Sequence, residues 1–129
     1  MAAIAVDTNI VVRLLVADDE QQAARARRLF EANEVWIGVT VLLEAAWVLT
    51  SVYELTAKET AAALMSLLGL PNVRVENPGI VASALNASEH GLDFADALHL
   101  LRAPDGAEFT TFDRGLAKSG RKLRPVRLL

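Results

Sequence analysis

Short apolar runs alternate with longer segments of helical periodicity along the whole chain, and this alternation most constrains the fold. Runs that predict strands occupy residues 3–6, 35–39, 72–76, 108–112 and, more weakly, 125–129. Helices are predicted at residues 19–32, 40–53, 56–68, 80–89 and 94–103, capped in three cases by Thr40, Thr56 and Asp93. Strands separated by helices are typical of βαβ units. We therefore expect an α/β fold, a three-layer α/β/α sandwich with a mostly parallel sheet of about five strands.

The size and composition of the chain predict one folded domain, residues 1–129. A chain of 129 residues with 53% hydrophobic residues can bury a substantial core. The longest apolar run is interrupted by Glu44 and is shorter than a bilayer span, so we expect a soluble protein with no membrane partner. The start lacks a basic segment with a cleavage pattern, and the chain has no cysteine. These features together predict a cytoplasmic location.

The charge of the chain is unevenly distributed. A net charge of −3 argues weakly against a nucleic-acid partner, because polyanion binding favours a basic surface. The segment from residue 114 to the end nevertheless contains no acid and six basic residues: Arg114, Lys118, Arg121, Lys122, Arg124 and Arg127. This basic end is either a solvated tail or a surface that meets phosphates, and charge alone favours neither.

Four acidic residues lie at or near the ends of predicted strands. Asp7 directly follows the first strand and Asp113 the fourth. Glu44 lies one turn into the helix after the second strand, and Asp96 lies in the first turn of a later helix. In parallel α/β folds ligands bind beyond the carboxyl ends of the strands, so we expect these four carboxylates at one edge of the sheet.

Each acid taken singly has an ordinary explanation, except Glu44. Asp7 and Asp113 would cap the helices that follow them, and Asp96 would favour a helix N-terminus through the dipole. Glu44 stands in the run VWIGVTVLLEAAWVLT with no ionic partner within four residues, which predicts a buried charge whose partner lies elsewhere. Four converging carboxylates need a counter-charge, and the hard cations Mg²⁺ and Mn²⁺ prefer oxygen ligands.

Several residues near these acids are weaker candidates. Thr8 and Asn9 would orient Asp7 or a water, or simply start a helix. Thr110 or Thr111 would hydrogen-bond a metal-ligating residue or a water, or is simply a good strand residue. Asp93 is expected as a cap rather than as an extra metal ligand or a group that supports one, and His99 as a packed helix-face residue rather than a proton shuttle. Arg114 and Lys118 would meet a phosphate backbone, whereas Trp36 and Trp47 are expected in the core rather than as base-stacking platforms.

Four sequence blocks together resemble a known family. AVDTNIVVRLL, LLEAAWVL, DFADALHL and TTFDRGLAK resemble the PIN-domain ribonucleases, and among them most the VapC toxins of bacterial toxin–antitoxin pairs. The resemblance spans nearly the whole chain and implies a small α/β/α sandwich with a parallel sheet. It also implies that Asp7, Glu44, Asp96 and Asp113 hold Mg²⁺ or Mn²⁺ and activate water to hydrolyse an RNA phosphodiester.

The resemblance implies further residues and partners. Thr111 matches a hydroxyl residue that often stands two before the last acid, and Asp93 matches a commonly acidic position of variable role. Homodimers are implied, as is a cognate VapB-like antitoxin whose C-terminal segment obstructs the acidic site. The helical pair from residue 40 to residue 68 is the expected place for both contacts.

Other classes of function remain open from the residues. A haloacid-dehalogenase-like phosphatase would also have an aspartate after its first strand, but that family needs a second aspartate where this chain has Asn9. A phospho-acceptor receiver domain shares only the strand-end aspartate. A non-catalytic binding module with the same fold, or a DNA-specific nuclease, is discriminated by metal binding and by cleavage assays.

Overall fold

The computed structural model describes residues 3–129 and contains short strands between helices. The strands are β1 (Ile4–Ala5), β2 (Val35–Ile37), β3 (Val73–Val75), β4 (Phe109–Thr111) and β5 (Val126–Leu128). The helices are α1 (Thr8–Leu15), α2 (Glu20–Ala32), α3 (Val39–Ser51), α4 (Ala57–Leu68), α5 (Pro78–Glu89), α6 (Phe94–Arg102) and α7 (Arg114–Gly120). The chain divides into two compact units, Met1–Pro78 and Gly79–Leu129.

The first unit is built on a three-stranded parallel sheet in the order β1-β2-β3. Val35 and Ile37 of the central strand are buried, whereas Trp36 between them is exposed, as expected from the alternation of side chains along a strand. Helix α1 packs against α2 and α3, and α3 packs against α4. This arrangement places the start of α1 and one face of α3 beside the same cavity.

The second unit contains the parallel pair β4–β5, and α7 packs against α6 and both of these strands. Gly120 allows a close approach here, because a Cβ atom at this position would lie 2.8 Å from Cδ1 of Leu100 and the leucine side chain would have to shift. The side chain of Arg124 further fixes this unit by donating hydrogen bonds to the carbonyl oxygens of Leu100, Ala103, Pro104 and Ala107, at 2.6 to 3.0 Å.

The α/β class and the parallel pairing predicted from the sequence are confirmed, and all five predicted strands form. The strands among residues 3–129 form one sheet of three and one of two rather than a single sheet of five. The strands are also shorter than predicted. Strand β2 ends two residues early because the chain turns into α3, and β4 ends one residue early because the chain bends before α7. Helices α1 and α7 lie where only helix starts were anticipated, after Asp7 and Asp113.

Two of the three predicted helix caps are confirmed. Thr56 forms a capping box with Glu59, and the side chain of Asp93 accepts a hydrogen bond from the backbone of Asp96. The prediction for Thr40 is wrong, because α3 already begins at Val39. Its first backbone N–H is instead bound by Oε1 of Glu76, at 2.9 Å, just beyond the end of β3.

The helices of the described part of the chain are all too short or too polar to cross a bilayer.

Candidate metal and nucleic-acid site

Asp7 lies at the junction between β1 and α1 and is exposed. Its Oδ1 accepts a hydrogen bond from the backbone N–H of Thr8 at 2.8 Å, so this carboxylate caps α1 as anticipated. Thr8 is buried at the start of the helix and Asn9 is exposed beside it. The carboxylate of Asp7 is therefore held in a fixed position at the strand end, while its second oxygen accepts no hydrogen bond from residues 3–129.

Glu44 lies on the outer face of α3 and is exposed, so the predicted burial of its charge is wrong. The helical period turns Leu42, Ala45 and Leu49 into the core, whereas Glu44 and Trp47 point away from it. The apolar composition of the run concealed this exposed face because Trp47 is itself apolar. An exposed carboxylate has no burial cost and is accessible to an ion.

Asp7 and Glu44 line the same cavity, of about 300 Å³, in the first unit. Thr8 and Asn9 also border it, as do the apolar side chains of Val12, Val48 and Val52. The two acids predicted in this half of the chain are thus brought to one place, and Asn9 contributes an amide group to its wall.

Arg13 and Tyr53 border this cavity too, and sequence reasoning missed both. Nη1 of Arg13 donates to Oδ1 of Asp18 and to the hydroxyl oxygen of Tyr53, both at 2.9 Å, and the Tyr53 hydroxyl donates to Oδ2 of Asp18 at 2.8 Å. The Tyr53 hydrogen bond and the charge of Arg13 lower the pKa of Asp18. The four-residue spacing of Asn9 and Arg13 places them on one face of α1, but no local pattern links either to Tyr53.

Asp96 lies in the first turn of α6, where the side chain of Asp93 accepts a hydrogen bond from its backbone N–H at 3.1 Å. Burial raises the pKa of the half-buried Asp96, and the negative charges of Asp93 and Asp113 raise it further. Asp96 therefore lies within electrostatic range of both Asp93 and Asp113 in the second unit.

Asp113 caps α7 and is held from both sides. Its Oδ1 accepts a hydrogen bond from the backbone N–H of Leu116 at 2.9 Å. Its own backbone N–H donates to Oγ1 of Thr111 at 3.0 Å, so the Thr111 hydroxyl orients the backbone of the acid and does not contact its carboxylate. The expected link between Thr111 and Asp113 is present in this form.

A PIN domain family model matches residues 4–122 of the chain, which covers both units and all four acids. The chain belongs to the PIN domain family. No curated protein and no solved structure matches it significantly. PIN domains are generally nucleases, typically metal dependent, and usually use Mg²⁺ or Mn²⁺.

The carboxylates of this PIN domain suit a hard divalent cation. Within residues 3–129 none of Asp7, Glu44, Asp96 and Asp113 is ion-paired with lysine or arginine, and only one oxygen each of Asp7 and Asp113 accepts a hydrogen bond. No three His, Asp or Glu side chains in that range are grouped as a metal site. Asp7 and Glu44 share a cavity of the first unit, Asp96 and Asp113 belong to the second, and the convergence of all four stays a prediction.

The basic C-terminal end of the PIN domain has two kinds of residue. Arg124 is bound to its own backbone, and Nε of Arg121 donates to the carbonyl oxygen of Val126 at 3.3 Å. Arg114 and Lys118 are exposed on α7, directly after Asp113. Lys122 and Arg127 are exposed as well, but Arg114 and Lys118 are the two that lie nearest to Asp113 along the chain.

Three predicted packing roles are wrong. Trp36 and Trp47 are 42% and 63% exposed rather than part of the core, and His99 is exposed on α6. In each case the residue lies on the face of its strand or helix that the periodicity turns outward.

Proposed function

We propose that this PIN domain is a metal-dependent endoribonuclease that acts as a VapC-type toxin and is neutralised by a cognate VapB-like antitoxin. The observation that carries the proposal is the PIN match over residues 4–122, which includes four acids that are not ion-paired. The match also favours a nuclease over the haloacid-dehalogenase-like phosphatase.

The four acids would act as the metal ligands and thereby as the catalytic residues. Asp7 and Glu44 of the first unit and Asp96 and Asp113 of the second would hold Mg²⁺ or Mn²⁺ through their open oxygens. The ion, when bound, polarises a phosphoryl oxygen and generates a nucleophile from water. The carboxylates of the chain fix its position and are kept apart from competing lysine and arginine partners.

Neighbouring side chains would position these ligands. The Asp93 carboxylate binds the backbone of Asp96, and the Thr111 hydroxyl binds the backbone of Asp113, so the first turns of α6 and α7 are fixed. Thr8 and Asn9 border the cavity with Asp7, where Asn9 would orient the attacking water. Ligands held on helix starts by such bonds lose little freedom when the ion binds.

The substrate proposed is RNA, guided by Arg114 and Lys118. Both cations are exposed and lie one and five residues beyond Asp113, so a strand that placed a phosphate at the acid would run past them. Carboxylate chemistry alone does not choose the sugar, and a DNA-specific nuclease is therefore an explicit alternative outcome of the cleavage assay.

The proposed partners would use the exposed apolar surface of α3 and α4. Trp47, Val52 and Met65 are 63%, 61% and 43% exposed on or next to these helices. Large exposed apolar side chains on a helical pair are typical of protein interfaces. We assign this surface to the homodimer and to the antitoxin, in the cytoplasm, where the RNA substrate would be met.

Purified protein should cleave RNA with Mg²⁺ or Mn²⁺ and stop when EDTA is added. Asp7→Asn and Asp96→Asn should each abolish cleavage without unfolding, since asparagine also caps helices and the Asp96 side chain makes no hydrogen bond among the described residues. Asp105→Asn, an exposed acid of the second unit, serves as the matched control and should cut normally. Robust cleavage by either of the first two variants would overturn the assignment.

A non-catalytic PIN-fold binding module is the second candidate, because Asp7, Asp93 and Asp113 each cap a helix and thus have a structural reason to be acidic. Titration of the wild type with Mn²⁺ discriminates the two. If the protein is a nuclease, the wild type should bind Mn²⁺ and the Asp96→Asn variant should not. A binding module should show neither metal binding nor cleavage of RNA or DNA.

The toxin role is tested by expression with the neighbouring reading frame. We expect a short upstream gene for a DNA-binding antitoxin, whose co-expression restores growth and whose purified product blocks cleavage. Trp47→Ser should weaken that inhibition while RNA cleavage by the free enzyme persists.

A further inference from the structure

Phe112 is the most exposed large apolar side chain in the described part of the chain, at 79%. It was expected inside the fourth strand, but β4 ends at Thr111 and Phe112 lies in the bend before α7. The other phenylalanines behave differently: Phe30 and Phe94 are buried and Phe109 is partly buried. The ring of Phe112 therefore contributes little to the core.

The backbone on both sides of Phe112 is fixed. The hydrogen bond from the Asp113 N–H to Oγ1 of Thr111 spans the residue at 3.0 Å. The bond from the Leu116 N–H to Oδ1 of Asp113 fixes the next residue, and Thr111 is also paired with Leu128 in the sheet. An exposed aromatic ring on a constrained backbone loses little conformational freedom when it binds.

The surroundings of Phe112 combine polar and charged neighbours in the chain with two exposed apolar side chains of the paired segment, Leu128 and Leu129, the second of which donates its backbone N–H to the carbonyl oxygen of Thr111 at 2.9 Å. Thr110, Asp113 and Arg114 are all exposed next to it, and Lys118 follows on α7. The apolar area is confined to this ring and the end of β5, and the cations Arg114 and Lys118 follow the ring in the chain, whereas a protein-binding patch is typically a larger contiguous apolar area. An exposed aromatic ring beside cations is instead typical of surfaces on which single-stranded nucleic acids stack their bases.

We propose that Phe112 is a stacking platform for one unpaired base of the RNA substrate, the base of a nucleotide next to the phosphate that is cut. Phe112 directly precedes Asp113, and consecutive Cα atoms lie about 3.8 Å apart, so the two side chains leave the backbone at neighbouring points. Stacking accepts every base, so Phe112 sets affinity and the strandedness of the substrate more than a strict sequence. This role rests on the proposed ribonuclease function.

The test measures the binding of a short fluorescent single-stranded RNA by anisotropy, in the Asp96→Asn background so that the probe survives. Phe112→Ala should weaken binding roughly 5- to 150-fold, which corresponds to the loss of one stacked base. Phe112→Leu should be almost as weak, because it keeps apolar bulk but has no ring, and Phe112→Trp should restore binding. Thermal melting should be unchanged in all three variants, since the side chain is exposed.

The matched control is Trp36→Leu, which removes a ring from an exposed aromatic residue of the first unit and should leave RNA affinity unchanged. A double-stranded probe should show little dependence on Phe112, because its bases are already stacked. In the active enzyme, Phe112→Ala should raise KM far more than it lowers kcat.

Two results overturn the role of Phe112: wild-type RNA affinity in Phe112→Leu, or wild-type RNA affinity in Phe112→Ala. In the second case, weakened self-association or antitoxin binding by Phe112→Ala would assign the ring to a protein contact instead. These outcomes are separate from failure of the proposed function, which is seen as absence of wild-type RNA cleavage. If the wild type cuts RNA and Phe112→Ala binds it normally, only the stacking role is wrong.

Discussion

At the scale of single residues, capping a helix and holding a metal ion are compatible tasks for one carboxylate. Asp7 and Asp113 each use Oδ1 to accept a backbone hydrogen bond, and within the described residues Oδ2 of each has no such bond. The capping bond fixes the rotamer and thereby aims the second oxygen. Helix capping and metal binding thus both favour aspartate at these two positions.

Glu44 separates the two roles, because it has no capping bond and is exposed. Glu44→Gln should change the unfolding free energy by no more than about 0.5 kcal/mol, as for an ordinary surface site. Cleavage should fall roughly a hundredfold or more, since a ligand of an ion worth several kcal/mol in the transition state is lost. Denaturant unfolding and Mn²⁺ titration measure the two effects, and tight Mn²⁺ binding by the variant would contradict the assignment.

The Asp18 carboxylate should contribute stability that depends on pH. Its pKa is lowered below the ordinary 3.8 by the hydrogen bond from Tyr53 and the charge of Arg13. Stabilisation by a depressed acid is complete above its unfolded pKa and is lost as pH falls through the folded value. Wild type should therefore be more stable than Asp18→Asn at neutral pH, and the difference should shrink below about pH 4.

Urea unfolding of both proteins over pH 2.5 to 7 would measure this difference, at roughly half-unit steps. Asp105→Asn provides the matched control, because Asp105 has no ion pair among the described residues. A stability difference between wild type and Asp18→Asn that persists unchanged at the lowest pH would show that the carboxylate acts by packing rather than by charge.

At the scale of elements, local patterns predicted most helix starts. The start that was predicted wrongly depends on a residue that is distant in the sequence. The capping box of α4 and the cap of α6 lie within four residues and can be read from the sequence. The start of α3 depends on Glu76, which is thirty-seven residues from Val39 in the chain. A short-range pattern cannot include both residues, so Thr40 was the capping residue that the local sequence suggested for this helix.

Removing the carboxylate of Glu76 should destabilise the start of the helix that carries Glu44. Glu76→Ala leaves the Val39 N–H without its acceptor and should lower the unfolding free energy by about 1 kcal/mol, as for a lost N-cap. Glu76→Gln keeps an oxygen acceptor and should lose less than half of that. Hydrogen exchange at Val39 should quicken in the alanine variant; equal exchange in both variants would show that the contact is not a cap.

The outer face of α3 explains why burial could not be predicted from composition. Its run is apolar both toward the core, at Leu42 and Leu49, and toward solvent, at Trp47. A sequence cannot distinguish an apolar side chain that packs inside its own chain from one kept for a partner. The burial predicted for Glu44 and Trp47 was therefore wrong on the helix to which we assign the homodimer and antitoxin contacts.

At the scale of the whole molecule, the candidate acids could be predicted from the sequence but their neighbours could not. Strand-end position and family resemblance made Asp7 and Asp113 candidates directly, and their role as site residues stays a prediction. The contact of Arg13 with Tyr53 and the exposure of Phe112 depend on where helices pack and where a strand ends, which short-range patterns do not determine. Similarly, charge alone could not reveal that the side chain of Arg124 is hydrogen-bonded to backbone carbonyl groups whereas that of Arg114 is exposed.

The charge distribution gives a prediction for the whole protein, because a chain of net charge −3 would have to attract RNA with only part of its surface. Each phosphate contact on a single strand contributes about 0.7 to the slope of log affinity against log salt. If Arg114 and Lys118 each meet one phosphate, Arg114→Gln/Lys118→Gln should reduce that slope by roughly 1.4. Arg25→Gln/Arg28→Gln removes equal charge from exposed sites on α2 and should leave the slope unchanged. Because both pairs alter the net charge equally, a difference between them isolates local phosphate contacts from long-range attraction. Equal slopes for the two double variants would instead mean that the basic end acts only through the overall field.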